Sequence, residues 1–255
     1  MLPKMQHYLE VIVVLAQKDF KVRYRNSVLG FIWSILNPLG YMLILTIVFS
    51  FLLRMNIPNY SAWVLIGILI WRFFSIGTSQ GLSSIVANAS LVTKLYMPRY
   101  LIVLSNTVAN LLGIALEVIV LLPLLAVFGV HFTVYALLLP VVLVLESLFV
   151  FGLSLLLSSI NLKYRDFQQL WDIALQLGFF LSPIIYDVTL VPSRYRLIYS
   201  LNPVTRLIES ARDMLLFGSA PSLWDFLVVV SGLLIFLLIG FLVFQRLEGH
   251  FAEEL

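Results

Sequence analysis

The sequence contains no cysteine, and only 11% of its 255 residues are charged. The first absence excludes disulfides and thiolate metal sites. The second excludes an ordinary soluble domain, in which about a quarter of residues carry charge. Histidine is scarce too. His7, His131 and His250 lie far apart in the chain, which argues against a histidine metal site. Three catalytic signatures are missing: no G-x-x-x-x-G-K-[ST] to cradle nucleotide phosphates, no H-E-x-x-H to hold zinc, and no G-x-S-x-G to present a nucleophilic serine. No basic and aromatic stretch stands clear of the apolar runs, so no nucleic-acid partner is expected. Nor does any long polar stretch leave room for a large soluble domain.

What is present is apolar surface, at 61% hydrophobic residues against the about 45–50% of soluble chains. A spanning helix needs about 20 mostly apolar residues. Val28–Leu53, Tyr60–Gly81, Tyr100–Phe128, Thr133–Ser159 and Leu223–Phe244 qualify. Trp171–Tyr186 is short but extends backward through Phe167, giving six expected spans. The fold class is therefore an all-α polytopic membrane protein. Before the first span no short apolar core leads to a small-residue cleavage site, so a cleavable signal is not expected.

Basic residues set the expected orientation. With the N-terminus inside, the cytoplasmic segments collect Lys4, Lys18, Lys21, Arg23, Arg25, Lys94, Arg99, Lys163, Arg165 and Arg246, while the first two outer loops hold only Arg54. Six spans return the C-terminus to the cytoplasm. The outer segment 187–222 departs from the rule with Arg194, Arg196, Arg206 and Arg212, but Asp187, Glu209 and Asp213 nearly neutralise it.

Two amphipathic helices stand outside the spans. Met5–Val22 groups Gln6, Glu10, Gln17, Lys18 and Lys21 on one side and Leu9, Ile12, Leu15, Ala16 and Phe20 on the other. That profile suits a helix lying in the membrane interface, with the basic run 21–25 facing anionic headgroups or a partner. In 202–218, NPVTRLIESARDMLLFG, a turn of 100° per residue gathers Val204, Leu207, Ile208, Ala211, Met214 and Leu215 on one face. Arg206, Glu209, Arg212 and Asp213 take the other, with spacings that allow a ladder of ion pairs. Asn202 and Pro203 read as cap and first turn, and Gly218 as the C-terminal cap.

Arg72 falls inside the second span, Glu117 inside the third and Glu146 inside the fourth. Intramembrane carboxylates are functional candidates by default, but two acids on different spans make a thin proton relay. The Asn37-Pro38 pair is expected to kink the first span. Between spans two and three, 83–101 opens with small and polar residues, forms a short helical piece, and stops at Met97-Pro98-Arg99.

Four blocks of residues carry a family resemblance: DFKVRYRNSVLGFIWSILNPL (19–39), LVTKLYMPRYLIVLS (91–105), LSPIIY (181–186) followed by NPVTRLIESARDMLLFG (202–218), and RLEGHFAEEL (246–255). The chain resembles the membrane subunit of type-2 ABC exporters for polysaccharides, in the O-antigen permease (Wzm) family, with teichoic acid permeases similar as well. The resemblance covers nearly the whole chain and implies a single transmembrane permease domain, 1–255. It implies a cytoplasmic interface helix (1–25), a cytoplasmic coupling segment (83–99) and re-entrant outer gate helices (187–221). It further implies a homodimer in the bacterial inner membrane, with two copies of a separate cytoplasmic ABC ATPase.

ATP and Mg would then bind the partner, leaving this chain without a cofactor of its own and without enzymatic chemistry. The ATPase-coupling residues carried over are Ala89, Leu91, Val92, Thr93, Lys94, Leu95, Tyr96, Met97, Pro98 and Arg99. The outer gate is carried by Arg206, Glu209 and Arg212, on the second of two outer helices whose first is Pro192–Leu201. The channel is lined by spans one and five, whose aromatic candidates are Phe31, Trp33, Tyr41, Phe179, Phe180 and Tyr186; their ring faces suit a sliding sugar chain. The cargo implied is a lipid-linked polysaccharide such as O-antigen, moved outward. Alternatives are the same machine with teichoic acid, capsule or a small hydrophobic drug as cargo, or a secondary transporter that needs no ATPase. An enzyme acting on lipid-linked sugars would need a cluster of acids, and Asp166 and Asp172 stand isolated.

Overall fold

A computed structural model describes residues 2–24, 30–94 and 97–254. The described residues form helices and connecting turns, without strands. Helix α1 (Leu2–Tyr24) is followed by α2 (Ile32–Leu45), which runs on through wider π-type turns at Thr46–Leu52. Then come α3 (Tyr60–Ala87), the short α4 (Ala89–Lys94), α5 (Tyr100–Val127) and α6 (Leu139–Lys163), the last entered through a tight turn at Val134–Leu138. After α7 (Phe167–Leu181) come α8 (Ser193–Ser200), α9 (Pro203–Arg212), α10 (Leu223–Glu248) and the single turn α11 (Phe251–Glu254).

Five of these elements are long and apolar enough to cross a membrane: Ile32–Leu52, Tyr60–Ala87, Tyr100–Val127, Val134–Lys163 and Leu223–Glu248. The element expected at Trp171–Tyr186 is α7, whose 15 residues make a rod of about 22 Å at about 1.5 Å per residue. That is short of an about 30 Å hydrocarbon core. The cause is local. Pro183 pushes Ser182 into the extended region, at φ −95° and ψ 148°, and the helix stops there. In α2 the chain stays helical through Pro38, and its departure from α geometry falls later, at Thr46–Leu52.

Helix α3 is the pillar of the bundle. It packs against α2, α5, α6, α7 and α9 and carries much of the main core, from Ala62 to Leu82. Helix α10 lies along α6. Their backbones meet at two glycines: a Cβ on Gly240 would overlap the Gly152 carbonyl oxygen. Small residues at such crossings are how membrane helices gain van der Waals contact when burial from water gives no drive. A second cluster of Ile85, Val92, Ile102, Leu155, Phe244 and Phe251 closes the end of the bundle that holds both chain termini. The opposite, far side holds loop 53–59, α8 and α9.

Helix α1 lies against α5 and turns Ala16 fully inward. Its outer surface is mixed, because Leu9, Val13 and Val14 are exposed beside Glu10, Gln17 and Lys18. Lys18 Nζ donates to Asn88 Oδ1 at 2.6 Å and lies 3.5 Å from Asp19, so this helix is tied to the turn before α4.

Candidate functional site

The segment expected to reach an ATPase is the turn between α3 and α5. Ala89, Leu91, Val92, Thr93 and Lys94 form α4; Leu95 and Tyr96 lie outside the described residues. Val92 is buried, packing in the cluster with Phe251 and Phe244, whose rings meet edge-on at 5.0 Å. Ser90, Thr93 and Lys94 are exposed, so the presented face is polar and Val92 belongs to the chain's own core. Met97 and Pro98 follow, and Arg99 is clamped. Its backbone N–H donates to Glu248 Oε1 at 2.9 Å, its guanidinium donates to the Glu248 carbonyl oxygen, and it sits over the Phe251 ring. The tail 248–251 therefore underpins α4, a role the sequence reading did not assign to it.

Deeper on the same side, α1, α2, α3 and α5 converge on a polar cavity of about 390 Å³ lined by Arg23, Trp33, Ser34, Asn37, Arg72, Gln80 and Glu117. Arg72 Nε lies 3.2 Å from Glu117 Oε2 and its Nη1 donates to Asn37 Oδ1 at 2.8 Å. Arg23 Nη2 donates to Gln80 Oε1 at 2.5 Å and to Asn110 Oδ1 at 2.6 Å. Glu117 thus has a cation partner from the neighbouring span. Glu146 has none among the described residues: it is fully buried, and neither carboxyl oxygen makes a side-chain hydrogen bond.

The aromatic candidates split. Trp33 and Tyr41 on α2 and Phe180 on α7 are more than half exposed. Phe31 is half-buried, and Phe179 packs edge-on against Trp71 at 6.2 Å. Tyr186 is half-buried after α7, its hydroxyl donating to the Phe180 carbonyl and meeting Tyr199 Oη at 3.0 Å. Both α2 and α7 flank α3, and both leave a long apolar face uncovered.

On the far side, α9 forms as its pattern requires. Asn202 Oδ1 accepts from the Val204 N–H at 3.0 Å, Pro203 fills the first turn, and Gly218 ends the segment at φ 60°. Val204, Leu207, Ile208, Ala211, Met214 and Leu215 are all buried.

The charged face differs from expectation. Arg212 points into the protein and is fully buried. Its guanidinium donates to the carbonyls of Trp63, Pro183 (2.7 Å) and Ile184 (3.0 Å), pairs with Glu209 Oε1 at 2.9 Å, and lies 3.8 Å from the Trp63 ring centroid. Arg206 does not continue a ladder to Glu209. It pairs with Asp225 on α10 at 2.9 Å, which is held at the helix start by Ser222 Oγ accepting from the Asp225 N–H. The physical reason is reach. Carbonyls freed by the break at Pro183 need donors, and a long, five-donor side chain supplies them better than an exposed i,i+3 pair would. Burial lowers the Arg212 pKa to about 10, opposed by the Glu209 charge, so the cation persists at neutral pH. Burial raises Glu209 while Arg212 pulls it back down. The interaction welds α9, the turn after α7 and the start of α3 into one body.

The geometry is that of a multi-span bundle with a braced short turn at one end and a clamped pair of short helices at the other; no cluster of three His, Asp or Glu that could hold a metal occurs among the described residues. Residues 10–216 match the model of a family described as ABC-2 type transporter. The chain is 31% identical over 247 residues to the O-antigen export system permease protein RfbA of Klebsiella pneumoniae, covering 96% of this chain and 95% of that one. It is 30% identical over 258 residues to the protein of the same name from Myxococcus xanthus, covering 99% and 98%. A more distant relative is the polysialic acid transport protein KpsM of Escherichia coli, at 23% over 212 residues and 81% of each chain. The chain is a multi-pass membrane protein and belongs to the ABC-2 type transporter family.

Proposed function

We propose that this chain is the permease subunit of an ATP-driven exporter that moves a lipid-linked polysaccharide of the O-antigen class from the cytoplasmic to the outer face of the bacterial inner membrane. The observation that carries the reading is the near-full-length similarity to O-antigen export permeases, which runs through the coupling turn and the clamped outer helices alike. The working unit is a homodimer with two copies of an ABC ATPase, which bind the ATP and Mg. Support for the dimer comes from α2 and α7, whose uncovered apolar faces carry Trp33, Tyr41 and Phe180. A second copy laid against them would line a channel with aromatic faces.

Topology supports six crossings with both termini cytoplasmic. Helix α6 ends on the side of the termini, and α8 and α9 sit on the far side, so the chain traverses the bundle through α7 and the turn after it. Helices α8 and α9 are then the re-entrant outer pair. Backbone off a helix at membrane depth must be buried in protein or line a wet cavity, and the Arg212 clamp meets that need for Pro183 and Ile184. On the cytoplasmic side the segment Ala89–Arg99 docks the ATPase through the exposed Ser90, Thr93 and Lys94, and the clamp of Arg99 by Glu248 passes motion to α10.

Gentle affinity purification from the native membrane, followed by native mass measurement, tests the reading. A complex of two permeases and two P-loop ATPases is expected, and deletion of this chain is expected to leave polysaccharide inside the cell. A chain that purifies alone and supports flux in vesicles without ATP would replace this reading with a secondary transporter.

A further inference from the structure

A second cavity, of about 460 Å³, opens on the far side between loop 53–59, the first turn of α3, residues 187–190 and the end of the α9 segment. Its volume falls within the roughly 300–1,000 Å³ of small-ligand sites. The lining alternates flat apolar surface with uncharged polar groups and one carboxylate: Trp63 and Phe217, then Asn56, Asn59, Thr189 and Asp187.

Three features set it apart from a passive crevice. The Trp63 side chain is buried, yet its indole N–H finds no hydrogen-bond partner among the described residues. A buried donor is normally satisfied; this one has no exposed surface of its own, so it belongs to the wall behind the cavity and not to the contacts made in it. The ring itself is locked, with Arg212 stacked on it at 3.8 Å and Phe217 edge-on at 6.2 Å. The loop that forms the rim holds two non-glycine residues in the left-handed region, Arg54 at φ 52° and Asn59 at φ 50°. Such conformations persist only where the surroundings enforce them, and they cluster at binding sites. Asn59 occupies the cap position of α3 without capping it, which leaves its amide available to a ligand. Asp187 Oδ1 accepts from the Thr189 N–H at 2.7 Å, which fixes the carboxylate while leaving it capacity for another donor.

We infer that this cavity is a glycosyl subsite on the outer side, which holds one segment of the polysaccharide as it leaves. The inference rests on the export reading above and adds a location and a chemistry to it. The exposed ring of Phe217 offers its face to the C–H face of a sugar ring. The Asn59 amide and the Asp187 carboxylate take hydroxyls. The lining residues include no cation: Arg212 is spent on carbonyls and Glu209 behind the Trp63 ring, Arg196 on the carbonyls of Thr189 and Val191, and Arg54 stands on the rim loop outside the lining. A phosphate or pyrophosphate group is therefore not the ligand here; a neutral, polyhydroxylated one is.

The chain's lack of cysteine makes the test direct. An Asn56→Cys variant places one thiol on the exposed rim, and His131→Cys places a control thiol on another exposed loop. Both are assembled with the full exporter in spheroplasts and treated with a membrane-impermeant maleimide. One strain makes its own polysaccharide and the other is blocked at the first glycosyl transfer. Labelling at Asn56→Cys is expected to slow at least fivefold in the producing strain, with the control unchanged. Adding Asn59→Gly and Asp187→Asn is expected to restore fast labelling. Glycine tolerates the left-handed rim, and asparagine still accepts from Thr189, so neither change removes the fold. Equal labelling in the two strains, while surface polysaccharide still depends on this chain, overturns the subsite and leaves the export reading standing. Slow labelling in both strains overturns it too, because protein then fills the cavity. Surface polysaccharide that persists without this chain overturns the export reading and the subsite with it.

Discussion

Helices α2 and α3 are both strongly apolar, yet 78% of the central window of α3 is buried in the protein and only 11% of the corresponding window of α2. In water that contrast would be written in composition. In lipid it is not, because the surroundings are as apolar as the core. What separates the two is fine texture. Helix α3 places Gly67, Gly77, Thr78, Gly81 and Ser84 along its length, and each is buried against a neighbour. Helix α2 offers Gly40 with open space beside it and spreads Ile32, Leu36, Ile44 and Ile47 outward. One helix is the internal pillar of a single chain. The other presents a face to whatever lies outside that chain.

The largest expected effect comes from cutting the pillar's link to α9 and to the turn after α7. Arg212→Ala would leave three carbonyls and Glu209 without their donor, and breaking a buried ion pair costs about 3–5 kcal/mol. The lower end applies, because Glu209 reaches solvent. Unfolding in a denaturing detergent series would register the loss. Arg212→Lys should recover little of it, since an ammonium cannot serve carbonyls on two segments at once. Near-wild-type stability in both variants would mean that α9 is held by its apolar face alone.

A smaller effect is expected where α3 meets α6. A side chain on Gly81 would collide with Ser154, which is fully buried. Overpacking of this kind costs about 1–3 kcal/mol. Gly81→Leu should lower the folded fraction on the same unfolding assay, whereas Gly40→Leu on α2, with nothing near it, should not. Equal losses at the two glycines would erase the distinction between pillar and open face.

The ties that Arg72 of α3 makes to α2 and α5 are polar and are expected to be weaker still. Arg72 holds Asn37 of α2 and Glu117 of α5; Arg72 is partly exposed and Glu117 is buried. A cycle of Arg72→Gln, Glu117→Gln and the double variant should return a coupling of about 1 kcal/mol, within the range for residues in direct contact. Proton-driven transport would instead make Glu117→Gln abolish flux irrespective of Arg72.

Much of the fold could be read before any coordinates. The face of α9 was legible because 3.6-residue periodicity and capping chemistry are local, and Asn202, Pro203 and Gly218 act within a few residues of themselves. The direction of Arg212 was not, because its acceptors are backbone carbonyls of Trp63, Pro183 and Ile184, whose availability no side-chain pattern records. Pro183 did carry a signal that α7 would end early. The pairing of Arg72 with Glu117 and of Arg206 with Asp225 joins residues on different helices, and one sequence without packing information leaves such partners open. The bracing of α4 by Phe251 was hidden for the same reason: a lone aromatic after Gly249 has no periodic context.

The smallest effect is the most telling about α2. Ile44 and Leu36 are about half exposed, so truncating either to alanine removes little packing within one chain. Ile44→Ala should change the stability of the isolated protomer by less than about 0.5 kcal/mol, as is usual for exposed positions. If a second copy covers this face, the same substitution leaves the protomer intact but loosens the dimer, and native mass measurement across a detergent series would report more single chains. If lipid covers it, both numbers stay at wild type, because one apolar side chain replaces another against acyl tails. A fall in protomer stability would contradict both, and would place α2 inside the single-chain core with α3.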